Sequence, residues 1–341
     1  TAANYGTGTY TVGSGDTETA QLVVSTPMVL GTARIADTYG NILDSTTAPI
    51  DNFSSGTNNA IVIDVTKPTI QTITAKKNGS AISIPDPGQP PNIVTVAKDD
   101  RVEFTFNFNE STKLSGAATL TLNSGGSVTW AAYSDKDAPT ATYTVASGHE
   151  TAQGVYLDIT GYNLNGNKLT DNPGNSPNDW NSVYSPNQIN EPISPGTAFT
   201  ADYDIIVDGV LPTVDSVTTT VWTDVNNTAL TTGDGPYGIG ESITVKIYFN
   251  EPVTLSSTTL PLDLGLTGAG NLSFPTFTTA AATIQQSFTV TNGDPNGTGF
   301  LDVVGNTLPD PAGTWVLADV PGNEMETRTI TSNISANTPI V

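Results

Sequence analysis

The sequence predicts an all-β protein built as an extended array of tandem β-sandwiches, and three observations predict it. Apolar residues alternate with polar ones along strand-length stretches, no window of ten or more residues carries the apolar stripe of a helix, and several short phrases return at a spacing the size of a sandwich. In "VEFTFNFNE" the alternation puts Val102, Phe104, Phe106 and Phe108 on one face. In "SITVKIYFNE" it does the same for Ile243, Val245, Ile247 and Phe249. Side chains on a strand point to alternate faces, so both stretches predict half-buried antiparallel strands with one wet side. Thr, Ser, Asn, Gly and Pro abound while Lys, Glu and Leu are sparse, and turn chemistry such as "LNGN", "NSGG" and "GDGP" punctuates the chain at short intervals.

The repeats set the domain organisation. "TYTVGSGDTETAQ" at 9–21 matches "TYTVASGHETAQ" at 142–153, and "SFTVTNGD" at 287–294 is a weaker third copy. One D-x-x-G-N follows in each unit: "ADTYGN", "TDNPGN" and "ADVPGN". Then comes "IVIDVTKPTI" at 61–70, returning as "IIVDGVLPTV" at 205–214 and, blurred, as "ITSNISANTPIV" at the last residues. Pro68 and Pro212 stand 144 residues apart, and Pro212 and Pro339 stand 127 apart, one sandwich per period. The second and third units also share a first half, "KDDRVEFTFNFNE" against "IGESITVKIYFNE", which the first unit lacks. The expected division is a partial unit at 1–67 without its first strands, complete sandwiches at 68–211 and 212–338, and the start of a further unit or an assembly strand at 339–341. The repeated phrase is then a linker plus a first strand, in which Asp or Asn ends one unit and Pro fixes the start of the next.

Charge and composition exclude several classes of function. With 33 acidic against 11 basic residues and a net charge of -22, the chain is repelled by nucleic acid and by anionic lipid. Thiolate catalysis and thiolate metal sites are excluded because there is no cysteine, which also suits an exported bacterial or archaeal protein. The single histidine, His149, falls in a turn where the other copies have Gly-Asp, so the repeat does not require it. No run approaches the roughly 20 apolar residues of a membrane span, and the opening "TAANYGTGTY" does not read as a signal peptide, so a mature protein or an excised piece is expected. There is no G-x-S-x-G, H-E-x-x-H or P-loop motif, and the expectation is a protein without catalytic residues.

Taken together, these landmarks resemble the tandem bacterial Ig-like repeats of large cell-surface and adhesin-like proteins. The matching residues are Asp64 with Pro68, Asp208 with Pro212, Glu241 through Glu251 with Val253, and the three D-x-x-G-N segments. The resemblance implies tandem Ig-like domains outside the cell, used for reach, adhesion, filament or surface-layer construction, with copies of itself or neighbouring repeats as partners and no membrane insertion. Departures from the pattern are Ala97-Lys98-Asp99-Asp100 in place of a glycine turn and the insertion "DWNSVYSPNQINEPISPGTAF" at 179–199. They leave a second reading open, a carbohydrate-binding or accessory module of a surface enzyme, taking surface glycans.

Candidate metal ligands come from the repeated acidic positions. Calcium takes six to eight oxygens from carboxylates, amides and backbone carbonyls, which loops at the ends of sandwiches can supply. The candidate sets are Asp37, Asn41 and Asp64; Asp171, Asn175 and Asp208; and Asp319 with Asn323, joined by the strand-end carboxylates Glu110 and Glu251. A plain turn is the alternative for each D-x-x-G-N, with Asp capping the backbone and Gly at positive φ. Asp100 and Glu110, like Glu241 and Glu251, lie ten residues apart on one strand, about 33 Å, so they serve opposite poles of a unit and form no glycosidase pair. The tryptophans Trp130, Trp180, Trp222 and Trp315 suit either a sugar-stacking face or the core.

Overall fold

The computed structural model describes residues 68–82, 92–171, 203–223, 239–266, 271–292, 301–309 and 315–334, with a few positions before residue 42. The described chain is β throughout, as the alternation predicted. The strands are β1 (Ile70–Lys77), β2 (Ser80–Ala81), β3 (Val94–Ala97), β4 (Arg101–Phe108), β5 (Thr112–Leu114), β6 (Ala118–Leu122), β7 (Ser127–Trp130), β8 (Tyr133–Lys136), β9 (Thr140–Thr144), β10 (Ile159–Asn163), β11 (Leu169–Asp171) and β12 (Ile205–Asp208). They continue as β13 (Val214–Thr223), β14 (Ser242–Ser256), β15 (Leu260–Leu262), β16 (Leu272–Phe274), β17 (Phe277–Thr289), β18 (Val316–Asp319) and β19 (Ile330–Ser332), with a single 3-10 turn at Val304–Asn306. No helix among the described residues is long and apolar enough to cross a membrane, which leaves β-barrels unaddressed.

Burial falls into two separate cores. One gathers residues from Ile73 to Val207 and the other from Val214 to Ile334. In the first, a sheet ordered β2-β1-β4-β9 and a sheet ordered β10-β6-β7 contribute facing side chains. Val102, Phe104, Phe106 and Phe108 of β4 all point inward, as their spacing predicts, and Trp130 of β7 stacks on Phe106 with ring centroids 4.5 Å apart. In the second, Ile243, Val245, Ile247 and Phe249 of β14 do the same within the sheet β17-β14-β13-β19.

The stretch 205–214 is more than a linker. Its first half is β12, the last strand of the first core, paired in parallel with β3 through Ile205↔Val94 to Asp208↔Ala97. Its second half begins β13 at Val214, so a single phrase closes one core and opens the next. Gly209 between them admits no side chain, since a Cβ there would sit 2.4 Å from the Ala146 carbonyl oxygen. The later copy of the phrase behaves differently: β19 lies parallel to β13, through Val214↔Ile330, and Asn333, at the position of Asp208, is buried with its amide on Val303.

Two cores joined through one short segment should unfold as two transitions. Phe106→Ala, which empties a fully buried site, is expected to lower the stability of the first core by about 3–5 kcal/mol. Calorimetry should then show one transition moving to lower temperature while the transition of the 214–334 core keeps its midpoint.

Candidate cation site at the junction of the two cores

Three carboxylates from three strands meet where the cores adjoin. Asp208 ends β12, Glu251 lies within β14, and Asp319 ends β18; one oxygen from each lies within 4.8 Å of the others. Asp319 is buried and the other two are half-buried. Local hydrogen bonding places each one. The Asp319 carboxylate accepts from the backbone N–H of Gly322 at 2.8 Å and of Asn323 at 2.7 Å, and its other oxygen accepts from the Asn323 side-chain amide at 2.7 Å. Residues 319–323 therefore form the turn expected of D-x-x-G-N, with Gly322 at φ +105°. The same carboxylate still faces its two acidic neighbours, so the turn and the cluster coexist.

Glu251 is held by the residue before it. The Asn250 side chain accepts from the N–H of Thr213 at 2.6 Å and donates to the Leu211 carbonyl and to Glu251 Oε1, both at 3.2 Å, fastening the connecting segment to the irregular part of β14. Asp208 accepts from the N–H of Val210 at 3.2 Å. Asn323 spans both cores: its amide nitrogen also donates to the backbone carbonyl of Asp208 at 2.9 Å, and its oxygen accepts from the N–H of Lys98 at 2.7 Å. Lys98 reaches across to Glu326 at 3.1 Å, an exposed pair that adds little.

The electrostatics are those of like charges without a counter-charge. Burial first, then the carboxylates of Asp319 and Asp208, push Glu251 up to about 7. Burial and then Asp319 raise Asp208. Among the described residues no Lys or Arg is paired with any of the three. Glu150, which bridges to Asp208 through the backbone, adds a fourth negative charge felt by both Asp208 and Glu251. A hard cation with oxygen ligands suits such a donor set, and calcium fits the carboxylate chemistry without any nitrogen or sulfur ligand.

Of the predicted ligands, Asp208, Glu251 and Asp319 come together, and Asn323 lies against them as the residue that orients Asp319. Glu110 and Asp171 lie at the corresponding positions of the first core. Asp171 pairs with Thr112, two residues after Glu110, as Asp319 pairs with Val253, two residues after Glu251. Asn109 likewise accepts from the N–H of Thr69 at 2.6 Å and donates to Glu110 at 3.3 Å, as Asn250 does for Thr213 and Glu251. Asn41 is exposed. Asp37, Asp64 and Asn175 lie outside the described residues. Sequence reading missed Glu150 and the two asparagines, although the signals were present: Glu18 and Glu150 each precede T-A-Q, and both strand ends read F-N-E.

The remaining candidates are structural. His149 closes the turn from Ala146, its Nδ1 accepting from the Ala146 N–H at 3.1 Å and sharing a hydrogen with the Tyr143 hydroxyl at 2.9 Å. Trp130 and Trp315 are core residues rather than a sugar-stacking surface, and Trp180 lies outside the described residues. None of the family models, curated proteins or solved structures compared with the chain matches it.

The sign of the pH dependence follows from Glu251. Its folded-state affinity for a proton exceeds the unfolded one, so the folded chain binds more protons between about 4.5 and about 7 and loses stability as pH rises through that window. In chelator, the melting temperature is expected to fall from pH 5 to pH 8, and Glu251→Gln should flatten that fall.

Proposed function

We propose that the chain is a non-enzymatic structural protein of the cell exterior, a rod of tandem Ig-like sandwiches serving adhesion, a surface layer or a filament, stiffened by calcium between successive units. The observation that carries this reading is the convergence of Asp208, Glu251 and Asp319 at the point where two cores meet. A cation there binds one ligand from the first core and two from the second, so its coordination opposes bending at the junction. The hydrogen bonds of Asn323 act in the same direction. Two cores sharing the Asn-Glu strand end and the Asp pairing two residues beyond it support a serial design, which supplies length and repeated attachment points rather than a reaction centre. An acidic surface without cysteine suits an exterior rich in divalent cations.

Thermal unfolding with calcium and with chelator tests the reading. At calcium a hundredfold above its dissociation constant the gain is about 2.7 kcal/mol, a rise in melting temperature of roughly 5–15 °C for units of this size. Glu251→Gln should remove most of that rise. An unchanged melting temperature in the wild type, or a full rise retained in Glu251→Gln, would overturn the calcium assignment. Electron microscopy of the same samples reports whether the chain assembles into filaments.

A further inference from the structure

We infer that the outer edge of β17 is a self-association seam, on which a second copy of this chain adds its own β17 in antiparallel register. The strand ends its sheet: β14 pairs along one side, in unbroken register from Thr283↔Tyr248 to Thr289↔Ser242, and no strand among the described residues pairs along the other. An edge strand presents a row of backbone N–H and C=O groups ready to accept another strand, and proteins ordinarily blunt such edges by shortness, charge, proline or bulges. The strands that end the other sheets follow that practice. They are two to five residues long, and β8, for example, carries Asp135 and Lys136.

β17 is neither short nor charged and carries no proline, and its register with β14 shifts only between Phe277 and Thr283. It runs for 13 residues, "FTTAAATIQQSFT", with no ionisable side chain, no proline and no glycine. Phe288 is buried and Phe277 and Ile284 pack half-buried against the second core, while the Thr, Ser and Gln side chains of the strand are mostly exposed.

The absence of charge along the strand admits a second copy as the occupant. Two chains of net charge -22 repel each other over most of their surfaces, and a neutral strip about 40 Å long is where they can approach. The one charged neighbour along the regular part of the ladder, Lys246 opposite Gln285, is positive. The sequence is also compatible with its own reverse. A twofold axis through Thr283 sets Ala282 beside Ile284 of the partner subunit and Thr279 beside Ser287 of the partner subunit, polar and β-branched pairs with no charge opposing charge. The seam lies away from the carboxylates of the junction and does not depend on the calcium reading.

Sedimentation of the whole chain over a concentration series, with calcium and with chelator, tests the inference. Reversible dimerisation is expected, equal in the two buffers. The double variant Thr279→Lys, Thr283→Lys should be at least tenfold weaker in self-association, as should the variant with Glu at both positions, and mixing the two should restore a dimer. Hydrogen exchange on the wild type needs no variant: amides of 277–289 should gain protection as concentration rises. A wild type that stays monomeric throughout, an unweakened Lys variant, a mixture that does not associate, or β17 amides indifferent to concentration would each overturn the seam.

Discussion

Hydrogen bonds that neutralise no charge hold three carboxylates together where the two cores adjoin, and Asn323 ties the cores to each other at the same place. Asp319 is fixed by two backbone N–H groups and the Asn323 amide. Glu251 is positioned by Asn250, which also ties down the connecting segment. Asp208 is delivered by the parallel pairing of β12 with β3 and by the close approach of Gly209 to the turn at Ala146. Like charges at this spacing oppose one another, and a divalent cation placed among them would release that electrostatic free energy. The proton is the weaker substitute, which is why Glu251 keeps one up to about pH 7.

Much of this was legible in the sequence because repetition converts spacing into position. The alternation in β4 and β14 identified which residues point inward, and the inward residues are the ones predicted. Asp208, Glu251 and Asp319 stood out because each occupies a recurring place in its unit, even though they are far apart along the chain. At Asp319 the turn of D-x-x-G-N forms and the carboxylate also lies in the acidic cluster, so the turn does not by itself exclude a ligand role.

What stayed hidden depends on contacts between distant segments. Nothing local to Asn323 says that its amide will reach Asp208 across 115 residues or the N–H of Lys98 across 225. The unblunted edge of β17 is likewise invisible until the sheet order is known, because a neutral Thr-rich stretch reads the same in the middle of a sheet as at its margin. Residue 333 carries the opposite lesson. The blurred copy of the phrase places Asn333 where the earlier copy has Asp208, and there it is buried against backbone groups of Val303, where a neutral amide donates as well as accepts.

A cation bound by the three carboxylates would lock the junction into a stiff joint. Since the chain has no cysteine, spin labels can be placed uniquely through Ser127→Cys in the first core and Ser273→Cys in the second, both at exposed positions. Pulsed electron resonance then reads the distribution of distances between the cores. The account predicts one narrow distribution in calcium that broadens in chelator; a distribution of the same width in both buffers would contradict it.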